Sequence, residues 1–158
     1  MKKLAVVFVC VLVLAALSGS HAEAAMSAFD FAVQCLNSSL QFIEPKIKAA
    51  IEAGSDINVK DDNGWTALML LARNEDRAEV FNILIRAGAD VNARDDDGNT
   101  PLLIAVGYNN NSGVLNALIQ AGANVNAKNR DGKTALDIAE EKGMPEIASL
   151  LSAAAGRP

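Results

Sequence analysis

The segment Gly98-Asn-Thr-Pro-Leu-Leu-Ile-Ala105 decides the fold of this chain, because related segments occur on both sides of it at a constant interval. Gly64-Trp-Thr-Ala-Leu-Met-Leu70 precedes it and Gly132-Lys-Thr-Ala-Leu-Asp-Ile-Ala139 follows it, with equal spacing between the three leading glycines. A second series of glycines keeps the same step, at Gly54, Gly88 and Gly122. Self-similarity at one period over most of a chain indicates a stacked-repeat architecture, in which each unit packs only on its neighbours.

Each unit has the pattern of two short helices followed by an extended finger. Thr66 is placed to cap a first helix, and Val80 and Leu84 lie at the spacing of one buried helical face. A glycine then ends the second helix, because glycine readily takes the left-handed conformation that closes a helix. The period predicts a diverged N-terminal capping repeat (26–60), two regular repeats (61–94 and 95–128) and a C-terminal capping repeat (129–156). Charged residues give the last unit the polar exterior expected of a capping repeat: Glu140, Glu141, Lys142 and Glu146.

The repeated motifs are similar to those of the ankyrin-repeat family. Ala121-Gly-Ala-Asn-Val-Asn-Ala127 and Asp131-Gly-Lys-Thr-Ala-Leu-Asp-Ile-Ala139 resemble the family patterns Gly-Ala-Asp-Val-Asn-Ala and Gly-x-Thr-Pro-Leu-His-x-Ala. The resemblance covers about residues 45–156 and stays in register over several units. It implies an all-α repeat solenoid, an ankyrin-repeat stack of helix-turn-helix units with short β-hairpin-like fingers.

Two departures from the family pattern have structural consequences. The family period is about 33 residues. The central units here, 61–94 and 95–128, are each one residue longer, and we place the extra residue in the turn between the two helices. The histidine of the family motif is replaced by Met69, Leu103 and Asp137. This replacement removes a hydrogen bond that the family makes between threonine and histidine side chains. We expect apolar packing to substitute at Met69 and Leu103.

Residues 1–25 have the pattern of a secretory signal peptide. Lys2 and Lys3 give a positive start, residues 4–17 are almost wholly apolar, and Ala22-Glu-Ala24 fits the cleavage pattern. A retained membrane helix is the competing interpretation, but the apolar run is shorter than the roughly 20 residues that a span needs. We therefore expect cleavage and export, to the periplasm of a bacterium, with no membrane association afterwards.

Charge and residue types narrow the functional classes. The whole chain has a formal net charge of −5, and removing Lys2, Lys3 and Glu23 with the predicted signal peptide makes it more acidic. Nucleic acid and anionic membrane surfaces attract basic patches, so neither is expected as a partner. His21, the only histidine, leaves with the signal peptide. The remaining chain then has no imidazole for acid–base, triad or metal chemistry, and we expect no catalytic, cofactor or metal site.

Two features invite a chemical interpretation. Asp95-Asp-Asp-Gly98 could belong to a calcium loop, but the twelfth position counted from Ala93 is Ile104, where such loops need a glutamate. A solvated finger tip is the favoured interpretation. Cys35 could be a redox thiol, but its helical spacing with apolar neighbours favours a buried, inert core residue.

Trp65 and Tyr108 are the only tryptophan and tyrosine of the chain. The resemblance implies that the residue after each motif glycine, and the residues ending each first helix, line the groove through which ankyrin repeats bind proteins. Large aromatic residues and arginine often carry interface energy; the alternative is that both rings only cover hairpin backbone. The groove positions are Trp65, Asn99 and Lys133, with Arg73, Asn74, Gly107 and Tyr108. The finger tips form its rim: Lys60, Asp62, Asn63, Arg94, Asp96, Asp97, Arg130 and Asp131.

The leading hypothesis is an exported, monomeric, non-enzymatic protein that binds another protein through the concave face of the stack. Within that class we expect an adaptor or stabiliser of a periplasmic protein, and stress protection is one role of bacterial ankyrin proteins that the chain resembles. An inhibitor or immunity protein against a toxin or enzyme is the alternative. A thiol redox protein acting through Cys35 is the rival from another class.

Overall fold

The structure is a computed structural model, and it describes residues 45, 48–49, 51–52, 55–73, 78–108 and 111–156. In these ranges the helices after residue 55 are α1 (Ala67–Ala72), α2 (Ala78–Arg86), α3 (Pro101–Tyr108), α4 (Ser112–Gln120), α5 (Ala135–Glu141) and α6 (Pro145–Ala155). The described residues between 45 and 52 are also helical, and the described part contains no strand, so the predicted all-α fold is confirmed. The predicted signal peptide, most of the N-terminal capping repeat and Cys35 lie outside the described residues.

The helices stack in two layers. In the inner layer α1 packs on α3 and α3 packs on α5, and in the outer layer α2 packs on α4. The two helices of each unit also pack on each other. A lone pair of short helices cannot cover its own apolar face, so the units stabilise one another. None of the helices in the described ranges has the length and apolar character needed to cross a bilayer.

Leucines at the same register join the units into one core. Leu68 and Leu102 are each 1% exposed, and Leu115 and Leu118 of α4 are fully buried. Burying one such side chain contributes about 2 kcal/mol relative to leaving it exposed. Leu136, the third member of the Leu68 column, is only partly buried, because no described unit covers its far side. Full burial at this register therefore requires a neighbour on both sides.

The threonine of each motif starts an inner helix. Thr66 Oγ1 accepts a hydrogen bond from Met69 N at 3.4 Å, and Thr100 Oγ1 accepts one from Leu103 N at 3.4 Å. Each bond satisfies a backbone donor that the first helical turn leaves unpaired. Pro101 follows at the first helical position, where its missing N–H leaves no bond unmade. The recurring Gly-x-Thr motif thus sets where each inner helix begins.

The residues that replace the motif histidine behave in two ways. Met69 and Leu103 are 0% and 2% exposed in the core, which confirms the expected apolar packing. Asp137 instead forms a capping box with Thr134: its Oδ2 accepts bonds from Thr134 N at 2.8 Å and Oγ1 at 2.7 Å. These bonds, the backbone one first, hold the pKa of Asp137 below its ordinary value. A threonine-centred hydrogen bond therefore persists in the last unit, which the loss of histidine alone would not predict.

The extra residue of the central units lies between the motif threonine and the start of the second helix. The second helices of these units begin at Ala78 and Ser112, which are equally far along the chain from Thr66 and Thr100. In the last unit α6 begins at Pro145, which is one residue closer to its own threonine, Thr134. In unit 95–128 the added residue belongs to the longer inner helix, since α3 has 8 residues and α5 has 7, and the connections that follow these two helices, 109–111 and 142–144, are equally long. The predicted placement in the turn is therefore wrong for this unit, whereas in unit 61–94 the connection, 73–77, is longer.

Each finger is a tight hairpin held by one side chain at its base. Asp61 Oδ1 accepts hydrogen bonds from Asn63 N at 2.9 Å and Trp65 N at 2.8 Å. Asp95 and Asn129 make the same pair of bonds in the next two fingers. Asp95 is only 7% exposed, and its carboxylate is occupied by the backbone of its own hairpin. This supports a structural turn rather than a calcium loop.

Asparagine side chains tie neighbouring units together at the ends of the outer helices. Asn92 accepts a hydrogen bond from Asn124 N at 2.8 Å and donates one to Gly122 O at 3.1 Å. Asn58 makes the corresponding bonds one unit earlier, at 2.7 and 3.3 Å. Each asparagine therefore fixes the turn that ends the next outer helix.

Candidate functional site

Two series of side chains flank the inner helices. The first follows the glycine of each finger: Trp65, Asn99 and Lys133. The second lies at or just after the end of each inner helix: Arg73, then Gly107 and Tyr108, then Glu141 and Lys142. Lys133 Nζ lies 2.7 Å from Glu141 Oε2, so the two series meet in the last unit. We call the surface formed by these residues the inner groove.

Trp65 is fixed in the first finger. Its N–H donates to Asp61 Oδ1 at 2.8 Å, and its carbonyl oxygen accepts a hydrogen bond from Asp61 N at 2.9 Å. The side chain is partly buried and packs against the core, which leaves part of the indole exposed. The ring is therefore presented in a defined position.

Arg73 and Tyr108 form a contact between adjacent units. The Arg73 guanidinium carbon lies 5.0 Å from the centroid of the Tyr108 ring. Tyr108 is 58% exposed and is the one exposed large hydrophobic side chain in the described part of the chain. A cation over an exposed aromatic ring contributes about 0.5–1 kcal/mol. Both predicted groove residues are thus brought together, whereas Asn74 lies outside the described residues.

The last unit closes its end of the groove with charged contacts. The hydrogen bond from Lys133 to Glu141, and then the negative charge of Glu141, raise the pKa of Lys133 above its ordinary value. Lys142 Nζ donates a hydrogen bond to Gly107 O, which links the ends of α5 and α3. Lys133 lies beside the end of α5, and its charge is paired with that of Glu141.

Glu141 and Lys142 are groove residues that the sequence pattern assigned only to a polar exterior. Both are exposed, as expected of a capping repeat. The signal that identifies them is the repeat register, because Glu141 and Lys142 lie one full repeat period after Gly107 and Tyr108. Extending the groove positions by one more period would have found both.

Asn99 has a structural task within the fingers. Its side-chain amide donates to Asp95 Oδ2 at 3.1 Å, and its Oδ1 accepts a hydrogen bond from Asn129 Nδ2 at 3.3 Å. The side chain thus links the second and third fingers. Asn99 stays a predicted groove residue, and both ends of its side-chain amide are engaged in these bonds.

Two cations of the predicted rim hold neighbouring fingers together, and two of its carboxylates form no ion pair within the described part of the chain. Lys60 Nζ donates to Arg94 O at 2.8 Å, and Arg94 Nη1 donates to Lys128 O at 2.7 Å, each reaching the next finger. Asp62 and Asp96 are exposed and form no ion pair with any described residue. Two rim cations therefore act mainly in cohesion of the stack.

The rim of the third finger differs from the other two. Arg130 Nη1 lies 3.5 Å from Asp97 Oδ1, with side chains 71% and 77% exposed. An ion pair this exposed contributes between about 0 and 1 kcal/mol. Asp131 is also exposed, and the exposed Asn63 completes the first finger tip. The groove thus has an acidic rim at its first two fingers and a mixed rim at its third.

A second hollow lies in the outer layer between α4 and α6. It has a volume of about 380 Å³ and is lined mainly by Leu115, Met144, Pro145 and Ile147. It contains neither aromatic ring of the inner groove. In the described ranges, no group of three or more His, Cys, Asp or Glu side chains is placed to hold a metal ion. The inner groove is therefore the surface with the best-defined recognition chemistry.

Comparison with protein families gives one match. The family model described as ankyrin repeats (3 copies) matches residues 12–129 and, in a second match, residues 72–156. Together these matches contain every residue that the structure describes. The first match begins inside the apolar stretch of the predicted signal peptide. No curated protein matches the chain significantly.

Proposed function

Because this chain belongs to the ankyrin-repeat family, we propose that it is an exported, non-enzymatic protein that binds another protein through the inner groove. Ankyrin repeats are protein–protein interaction modules. The observation that carries the choice of surface is the contact between Arg73 and Tyr108, with 5.0 Å between guanidinium carbon and ring centroid. It presents an exposed aromatic ring and an arginine together, and these are residue types that dominate interface energies.

The binding mechanism is preorganisation. The Trp65 side chain packs against the core, and the side chains of Lys142 and Lys133 are held by hydrogen bonds to Gly107 O and Glu141. A partner that contacts these side chains orders few new rotamers, each of which would oppose binding by roughly 0.5–1.5 kcal/mol. A rigid stack therefore supports affinity from a surface with few aromatic residues.

The biological role that fits this mechanism is an adaptor or stabiliser of a periplasmic protein. The predicted signal peptide supports export, and the net charge of −5 for the whole chain disfavours nucleic acid as the partner. We propose that the protein acts as a monomer and holds one folded partner. A stress-protective role would follow if that partner is an enzyme that needs stabilisation.

The test begins by capturing partners from a periplasmic extract with the chain lacking residues 1–25, and identifying them by mass spectrometry. Affinity for the identified partner is then measured for Tyr108→Ala and for Trp65→Ala. We expect each change to weaken binding by about thirtyfold, since truncating a hot-spot residue costs about 2 kcal/mol. Circular dichroism should show unchanged helix content for Tyr108→Ala, because this side chain is mostly exposed.

The matched control replaces Asn116 and Gln120, which are exposed on α4 in the outer layer, by alanine. These changes should leave the affinity within twofold of the unaltered chain. Binding that tolerates both aromatic substitutions but fails in the α4 variant would reject the inner groove as the binding surface.

A further inference from the structure

We propose that the partner presents a basic segment, and that a lysine or arginine of this segment lies against Trp65 beside the carboxylates of Asp62 and Asp96. This inference rests on the proposed function and specifies the chemistry of the same groove. It is carried by two independent features: an aromatic ring with no cation over it among the described residues, and two rim carboxylates, Asp62 and Asp96, that form no ion pair with a described residue.

The first feature is the difference between the two aromatic rings of the groove. Tyr108 already has a cation over it, since the Arg73 guanidinium carbon lies 5.0 Å from the ring centroid. Trp65 has no such partner among the described residues, although indole is the side chain that attracts cations most strongly. The exposed part of the Trp65 ring can therefore accept a cation from another molecule.

The second feature is the arrangement of charge around Trp65. The predicted rim cations of the first two fingers, Lys60 and Arg94, donate to backbone carbonyls of neighbouring fingers at 2.8 and 2.7 Å. Asp62 and Asp96 form no ion pair with a described residue, so their negative charge faces solvent. A basic side chain that enters here gains attraction from two carboxylates and meets no competing internal cation in contact with them.

The carboxylate of Asp96 is held against the first finger, at Gly64. Asp96 N donates to Asn63 O at 3.2 Å, which docks the second finger on the first. The fit is tight, because a Cβ added to Gly64 would lie 2.8 Å from Asp96 Oδ1. Gly64 immediately precedes Trp65, so the Asp96 carboxylate of the second finger lies against the residue next to Trp65 in the first finger. An aromatic face next to a carboxylate is a combination that recognises ammonium and guanidinium groups.

The opposite end of the groove does not offer the same chemistry. Its finger carries Arg130, which pairs with Asp97 at 3.5 Å, and Lys133, which pairs with Glu141 at 2.7 Å. A basic segment is therefore oriented, with its cation at the first two fingers and its neutral or acidic part towards the third.

Trp65 provides the assay, because it is the only tryptophan of the chain. Intrinsic fluorescence is titrated with an acetylated and amidated hexalysine peptide, and separately with the matching hexaglutamate. We expect hexalysine to change the Trp65 emission in a saturable way that weakens as salt is raised, and hexaglutamate to have no effect. Absence of a saturable change with hexalysine, or an equal change with hexaglutamate, would overturn the inference.

The matched variants are Asp96→Asn and Asp131→Asn, each of which removes one rim carboxylate. Asp96→Asn should weaken hexalysine binding by up to about fivefold, the range of a single exposed charge pair, whereas Asp131→Asn should change it by less than twofold. Anisotropy of a labelled hexalysine should show the same loss for Trp65→Leu. If both aspartate variants weaken binding equally, attraction to overall charge explains the result and the inference fails.

The natural partner separates this inference from the proposed function. If Tyr108→Ala abolishes binding of the captured partner while Asp62→Asn and Asp96→Asn leave its affinity unchanged, the groove binds a protein but the cation site is refuted. If the Tyr108 and Trp65 variants bind the partner normally, the proposed function is refuted instead. Loss of affinity in all of these variants supports both.

Discussion

Replacing Asn92 by alanine should loosen the junction between the second and third units of the stack. Its side chain accepts a hydrogen bond from Asn124 N at 2.8 Å and donates one to Gly122 O at 3.1 Å. Both partners belong to the turn that ends α4. Asn126 occupies the same register one unit later, and its side chain has no hydrogen-bond partner among the described residues, which makes it a matched control.

The magnitude follows from the two lost hydrogen bonds. A single intramolecular hydrogen bond contributes about 0.5–1.5 kcal/mol net, and Asn92 is exposed, so water compensates part of the loss. We expect Asn92→Ala to lower the free energy of unfolding by about 1.5 kcal/mol. Asn126→Ala should lower it by less than about 0.5 kcal/mol, as for an exposed residue without such contacts.

Urea unfolding monitored by circular dichroism measures this difference. With a slope of about 2 kcal/mol per molar urea, Asn92→Ala should move the midpoint down by about 0.7 M without changing the slope. Trp65 fluorescence, which reports on the first finger, should follow the same transition if the units unfold together. Equal midpoint shifts for the Asn92 and Asn126 variants would refute the argument that this side chain couples the units.

Two further predictions concern the finger contact and pH. Gly64→Ala should lower the free energy of unfolding by at least about 1 kcal/mol more than Gly132→Ala does, as measured by urea unfolding. Both glycines have positive φ, 75° and 76°, so the backbone strain of the two changes is similar. Of these two positions, only Gly64 would bring the added Cβ close to a backbone nitrogen of the next finger, Asp96 N, at 2.9 Å. Equal losses would contradict close finger packing. Because Asp137 has a folded-state pKa below its ordinary 3.8, the stability it adds is present above that value and is lost as pH falls through the lower folded pKa. The urea midpoint of Asp137→Asn should therefore lie below that of the unaltered chain at neutral pH and approach it as the pH falls further below 3.8; a gap independent of pH would exclude the ionised capping box.

The repeat pattern was sufficient to predict the fold because its signals are local. The Gly-x-Thr motif predicts where α1, α3 and α5 begin, and apolar spacing predicts the buried faces of α2 and α4. Burial of Met69 and Leu103 also follows from their register with leucine-rich neighbours. The capping box of Asp137 was not predicted, although an acidic residue three positions after Thr134 is its sequence signature. Replacement of the motif histidine by Asp137 indicates only that the threonine–histidine bond is lost. It does not indicate the bonds between Thr134 and Asp137 that replace it.

The family resemblance predicted positions for the candidate groove residues, but it did not predict their contacts. Arg73 and Tyr108 belong to two separate units, and the contact between their side chains is seen only in the structure. In the same way, the sequence pattern made Arg94 and Asp96 equivalent rim charges. Arg94 is bound to a backbone carbonyl of the next finger, and Asp96 is not paired with any described cation. The position of a backbone carbonyl oxygen cannot be read from the residue types. The sequence therefore does not show which rim side chains bind a neighbouring finger and which remain unpaired.

Site-specific photo-cross-linking tests the central claim most directly, namely that another protein occupies the inner groove. A benzophenone amino acid is placed at Tyr108 in the groove and, in a second variant, at Asn116 on the exposed side of α4. The partner identified by capture should cross-link efficiently from position 108 and not from position 116. Cross-linking from position 116 alone would show that the outer layer, not the inner groove, is the binding surface.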